Sequence, residues 1–79
     1  MLVYALVNKE NRIYVGMTKN LNKRLSDHNF GRVFSTKGFR PWKVLYYEEC
    51  GDRRNSRMRE KYLKSGIGKE FLKNKLMPK

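Results

Sequence analysis

The chain is poor in the residues that build metal clusters, disulfides and membrane spans. It has one cysteine, Cys50, and one histidine, His28, so neither an internal disulfide nor a Cys/His zinc cluster can be assembled. Cys50 reads as a small core residue at a strand end. No long apolar run, signal peptide or lipidation motif is visible, which argues against a membrane protein. Acidic residues are scarce: seven Asp and Glu stand against nineteen Lys and Arg, giving a formal charge of +12 at pH 7. That excess exceeds what solubility requires and favours a polyanionic partner, nucleic acid before anionic lipid. The expected setting is the cytoplasm, with association to a bacterial nucleoid. Residues 1–79 make one small domain, burying roughly 60% of the surface its unfolded chain exposes.

The runs Leu2 to Val7 and Arg12 to Gly16 are rich in β-branched and aromatic residues and are separated by Asn8-Lys9-Glu10-Asn11, the pattern of a hairpin. Asn20 to Asn29 has helical spacing, with Leu21 and Leu25 at i and i+4 and Thr18 or Asn20 as N-cap. Phe30 to Trp42 is a basic, aromatic, glycine-containing loop, and Lys43 to Cys50 reads as a third strand. Asp52 can cap a second helix over Arg53 to Lys64. Gly66 and Gly68 separate it from a C-terminal helix around Ile67 to Leu76. The order ββαβαα predicts an α+β fold, a small three-stranded sheet flanked by helices.

Several residues on these elements can do chemistry. On a helical wheel Arg24 and His28 share the narrow arc of Leu21 and Leu25, the stripe that faces the core. A guanidinium there needs a partner or a polar cleft, because an unpaired buried charge costs several kcal/mol. A phosphate suits its planar fork; an ion pair with a carboxylate or a stem laid along the stripe's edge suits it equally. His28 alone would be an ordinary packed histidine, but one turn from Arg24 it is a candidate general base. Tyr4 and Tyr14, taken singly, read as core aromatics, yet the hairpin brings both phenols to one place.

In the second helix Arg53, Arg54, Arg57, Lys61 and Lys64 form a basic arc, and Ser56, Met58, Tyr62 and Leu63 lie toward the other side. Glu60 sits at the border. It either makes an exposed pair with Arg57 or Lys64, contributing about 0.3–0.5 kcal/mol, or holds Mg²⁺ with substrate phosphate and water. Glu48 and Glu49, as strand neighbours, point to opposite faces and form no paired site. Lys19, Lys23, Arg32, Lys37, Arg40 and Arg57 are the candidate nucleic-acid contacts. In the loop, Arg32, Lys37 and Arg40 alternate with Phe34, Phe39 and Trp42, a composition suited to phosphate attraction plus base stacking. Trp42 itself reads as a core anchor.

Leu2-Val3-Tyr4 and Tyr14-Val15-Gly16, with their tyrosines ten residues apart, stand where GIY-YIG nucleases have the two motifs of their name. The passage from Tyr14 to Arg24-Leu25, His28 one turn later, and Arg59-Glu60-Lys61 follow in order. The chain therefore resembles the GIY-YIG family over nearly its whole length, in particular short members similar to the N-terminal nuclease domain of the bacterial repair excinuclease. Ser35-Thr36-Lys37-Gly38, Arg40-Pro41-Trp42-Lys43 and Leu45-Tyr46-Tyr47-Glu48 carry that closer likeness. It departs from the family at Leu2 for the first glycine, at Met17 for a lysine, and at Leu72, which falls where an asparagine is expected; Asn74 is nearby.

The resemblance implies a mixed sheet flanked by helices and metal-assisted hydrolysis of DNA, duplex or branched, in repair or processing. One Mg²⁺ or Mn²⁺ on Glu60 would polarise the phosphate, Tyr4 or Tyr14 with His28 would activate water, and Arg24 would stabilise the transition state. A structure-directed endonuclease is expected, since no sequence-reading module accompanies it. The alternatives are a catalytically silent nucleic-acid-binding module, recruited by a larger repair complex, and a structural protein contacting RNA.

Overall fold

The computed structural model describes residues 1–76. Strands β1 (Leu2–Val7) and β2 (Ile13–Thr18) form the expected hairpin. Its turn is built by Asn8, whose side-chain oxygen accepts from the backbone N–H groups of Glu10 (3.0 Å) and Arg12 (2.9 Å). Asn11 takes the positive φ, 63°, that this tight connection requires and that asparagine tolerates. Helix α1 (Leu21–Asn29) follows, capped by Asn20, whose side chain accepts from the Lys23 N–H at 3.1 Å. After a long loop containing a 3-10 turn at Lys37–Phe39 come β3 (Lys43–Glu49), α2 (Arg53–Lys64) and α3 (Gly66–Leu76). Asp52 caps α2 as its sequence position predicts, accepting from Asn55 N–H at 2.8 Å.

The sheet order is β2-β1-β3, and both pairings are antiparallel, so the sheet is not mixed. Both neighbours of β1 run against its direction: β2 returns by a tight hairpin, and β3 comes back from the far side after α1. Central β1 is buried from Val3 to Val7 and its alternate residues feed two cores. Val3, Ala5 and Val15 pack against Leu63 and Leu72 from α2 and α3. Tyr4 and Leu6 pack on the other face against Trp42, with Tyr14, Leu21 and Leu25 around them. Leu63 and Leu72 are fully buried, each contributing about 1.5–3 kcal/mol of transfer free energy.

One strand irregularity stands out, and two local expectations are corrected. A bulge between Ala5 and Leu6 in the β1–β3 pairing breaks strict alternation, so Leu45 and Tyr46, although consecutive, both reach the α2/α3 core. Met58 and Tyr62 are exposed. The inward arc of α2 is centred on Ser56 and Leu63, two turns apart, with Arg59 and Glu60 half-buried on its flanks, and Met58 lies about 200° from Ser56. Gly68 does not separate the helices: the chain breaks at Ser65, and Gly68 lies inside α3, buried against α2. Cys50 is half-buried beside the α2/α3 core, and Trp42 is buried with its indole N–H donating to the Thr36 carbonyl at 3.0 Å, as each was expected to be placed.

A Cβ on Gly68 would meet the Tyr62 carbonyl and the backbone of Leu63, neither of which can rotate away. Gly68→Ala is therefore expected to destabilise the protein by about 1–3 kcal/mol, read as a lower urea midpoint. Gly38→Ala is the control, since nothing lies within 4 Å of a Cβ there.

Candidate active site

Tyr4 stands opposite Gly16 in the β1–β2 register, and Tyr14 stands opposite Leu6, so the two phenols are diagonal neighbours on one face with ring centroids 6.4 Å apart. Gly16 makes this possible. A Cβ there would lie 2.6 Å from the Tyr4 hydroxyl, so the glycine is the seat of the Tyr4 ring.

His28, on the last turn of α1, is fully buried. Its Nε2 lies 2.9 Å from the Tyr4 hydroxyl and its Nδ1 lies 2.7 Å from Thr36 Oγ1. The Tyr14 ring meets the imidazole edge-on at 4.9 Å between centroids. The Thr36 hydroxyl donates to the Val33 carbonyl at 3.4 Å, so its oxygen accepts from Nδ1–H. The assigned tautomer thus leaves Nε2 to accept from the Tyr4 hydroxyl.

Electrostatics set the charge of the ring, not its tautomer. Burial lowers the proton affinity of His28 and the adjacent Arg24 lowers it further, against a smaller opposing effect of Asp27, so the ring is neutral at pH 7. Burial raises the Tyr4 phenol, a rise partly offset by the nearby Arg24 guanidinium and supported by Tyr14 and by the negative charge of Glu60. Arg24, with the Tyr4 phenol beside it, is held more firmly in its charged form. Among the described residues it makes no ion pair with a carboxylate. It opens instead on a cleft of about 300 Å³ that it lines with Lys19, Lys23 and Asp27.

Tyr4, Tyr14, Arg24 and His28 therefore meet at one place, and Lys19 and Lys23 adjoin it. Glu60 is half-buried on α2, with Lys64 at 3.5 Å as its ion-pair partner. Glu48 and Glu49 are occupied elsewhere, by Arg59 at 2.8 Å and by the N-terminal ammonium at 2.6 Å. Arg32 pairs with Asp27 at 3.1 Å, Arg40 is exposed beside Gly31, and Arg57 is exposed on α2 and joins none of these contacts. At the C-terminal end, Leu72 is core and Asn74 is exposed.

Sequence reasoning did not single out Thr36, which lies in a loop without periodicity and is defined only by its partner eight residues earlier. It placed Lys64 in the basic arc of the second helix but did not join it to Lys69 and Lys73, with which it lines a second open cleft of about 390 Å³ alongside Tyr14. Their shared cleft depends on how α2 and α3 pack, which helical spacing within either one does not reveal.

The chain matches the GIY-YIG catalytic domain over residues 1–74 and belongs to that family, whose domain is generally a nuclease domain. It is 40% identical to a UPF0213 protein of Clostridium perfringens over 63 residues, covering 78% of this chain and 68% of the relative. A UPF0213 protein of Staphylococcus haemolyticus is 38% identical over 61 residues, covering 76% and 73%, and one of Bacillus pumilus is 37% identical over 60 residues, covering 75% and 60%. No solved structure gave a significant match.

GIY-YIG nucleases typically use a divalent metal. Among the described residues no group of three or more His, Cys, Asp or Glu could enclose one. A hydrated divalent ion that keeps most of its water needs only one or two carboxylates beside the substrate, and the half-buried Glu60 carboxylate is a hard-oxygen donor of that kind. No helix among the described residues is long and apolar enough to cross a membrane.

The depressed proton affinity of His28 fixes the sign of a pH effect. The unfolded chain binds the proton more readily, so His28 contributes stability above its ordinary value of 6.5, and that contribution is lost as pH falls from there through the lower folded value. Glu48 and Glu49, both held below 4.5, lose their contributions only in more acid solution. The melting temperature is expected to fall between about pH 7 and pH 5, and less so in His28→Gln; parallel profiles for the two proteins would refute the assignment.

Proposed function

We propose that the chain is a divalent-metal-dependent endonuclease that hydrolyses DNA phosphodiester bonds, directed by the structure of the substrate and serving repair or processing. The observation that carries this is the buried Tyr4–His28 contact of 2.9 Å, with the Arg24 guanidinium acting on the same phenol and opening on a basic cleft. The Tyr4 hydroxyl, directed at Nε2, can accept a proton from an attacking water as it passes its own to neutral His28. The Thr36 oxygen holds Nδ1–H and keeps Nε2 free for that proton. Arg24 offers its planar fork to the non-bridging oxygens as their charge grows. A divalent ion on Glu60 would supply Lewis-acid polarisation of the phosphate. Lys19 and Lys23 attract the strand to the Arg24 side, and Lys64, Lys69 and Lys73 attract it to the Tyr14 side.

Nicking of supercoiled and branched DNA with and without Mg²⁺ or Mn²⁺ tests this. Cleavage is expected only with metal; binding without cleavage in every condition would mean a silent module. Glu60→Gln keeps the shape and loses the charge, so cleavage should vanish while stability, with only the Lys64 pair lost, changes by less than about 1 kcal/mol.

Arg24→Lys retains the charge and loses the fork. Single-turnover cleavage is expected to drop by about ten-fold or more, at about 1.4 kcal/mol per decade, with little change in melting temperature. A variant that melts lower and cleaves at the parent rate per folded molecule would assign Arg24 a structural role.

A further inference from the structure

The loop between α1 and β3 is held unusually well for a segment with so little regular structure. Asn29 clamps the Trp42 backbone at both ends of its amide, accepting from the N–H at 2.6 Å and donating to the C=O at 2.9 Å. The Trp42 indole bonds Thr36, the Asn8 amide donates to the Phe39 carbonyl at 2.9 Å, and Arg32 N–H donates to the Asp27 carbonyl at 2.9 Å. Yet this anchored loop keeps its phenylalanines out of both cores: Phe30 is 70% exposed, Phe34 85% and Phe39 38%. Each ring carries a cation over one face, Arg32 at 5.1 Å, Lys37 at 5.1 Å and Arg12 at 4.1 Å.

A rigid loop that leaves large apolar rings in water, each beside a positive charge, matches a chemistry that is flat, apolar on its faces and joined to anions. Unpaired nucleobases on their phosphate backbone have that chemistry, whereas the bases of an intact duplex hide their faces in the stack. The loop also touches the candidate site directly, because Thr36 bonds His28 Nδ1. We propose that the loop from Phe30 to Arg40 is a stacking platform for unpaired bases, with Phe34 and Lys37 its principal ring and cation, and that it selects DNA with a single-stranded or frayed segment next to the scissile phosphate. The proposal rests on nucleic acid being the partner.

The test measures binding by fluorescence anisotropy, with EDTA present so that no cleavage intervenes. The probes are a labelled single strand of about 20 nucleotides, the same strand with abasic sites at its central positions, and the corresponding duplex. The parent is expected to bind the intact strand roughly ten-fold tighter than the abasic strand, which keeps every phosphate. Phe34→Ser should lose most of that difference and leave duplex and abasic binding unchanged. Phe34 is so exposed that its replacement spares the core, and equal melting temperatures check this. Lys37→Gln should weaken all three probes and flatten the salt dependence.

Equal binding of intact and abasic strands by the parent, or a Phe34→Ser variant that still distinguishes them, overturns the platform while the nuclease reading stands; the rings would then serve a protein contact. Failure of the parent to bind any probe at low salt overturns both.

Discussion

A tyrosine on the innermost strand of a three-stranded sheet has nowhere to put its hydroxyl except a polar partner buried beside it. Tyr4 meets this constraint by lying over Gly16 and reaching His28, and much of the surrounding structure follows. The hairpin must set glycine opposite Tyr4, and α1 must run until its second turn brings His28 to the phenol. The imidazole, buried in turn, needs something at its other nitrogen, which draws Thr36 and the long loop inward. Trp42 then fills the apolar space beneath, against Leu6 and Tyr14. The α1 face of the sheet is thus a polar chain enclosed by apolar packing, and among the described residues no buried side-chain nitrogen or oxygen is left without a partner.

The two faces of the sheet divide the labour. On the α2/α3 side the core is aliphatic at its centre, and its rim is tied by Arg59, which bonds Glu48 and stacks near Tyr62 and Phe71. Most acidic residues are occupied in such structural duties: Asp27 with Arg32, Glu48 with Arg59, Glu49 with the terminal ammonium, and Asp52 at a helix cap. The excess of positive charge is consequently not neutralised internally. Part of it lines two clefts, one at Arg24 and one alongside Tyr14, where a chain of phosphates would lower the mutual repulsion of the lysines.

Signals carried by neighbouring residues were legible in the sequence. Asp52 marked where α2 begins and Asn20, one of two candidate caps, where α1 begins, because capping is a contact across three residues. The i, i+4 spacing of Arg24 and His28 placed both on the Tyr4 side of α1, and the ten-residue interval of Tyr4 and Tyr14 placed both on one face. What escaped depends on long-range packing. The bulge at Leu45 answers to the pairing with β1, the burial of Gly68 answers to the closeness of α2, and the outward turn of Met58 reflects a helix whose inner face is set by Ser56 and Leu63, with too few apolar residues to declare it. Thr36 has no local pattern at all.

Asn8 joins the hairpin turn to the distant loop through a single amide. Its oxygen accepts two backbone N–H groups in the turn, and its nitrogen donates to Phe39 in the loop. Making both sets of contacts at once needs the asymmetry of an amide, an acceptor at one end and a donor at the other. Deamidation would replace the NH₂ by an anionic oxygen and set it against the Phe39 carbonyl, turning an attraction into a repulsion without any change in size. The acceptor contacts of the turn would survive such ageing and this tether would not, so the side chain's chemical lifetime sets how long hairpin and loop stay joined there, with Asn29 still holding Trp42 at the loop's far end.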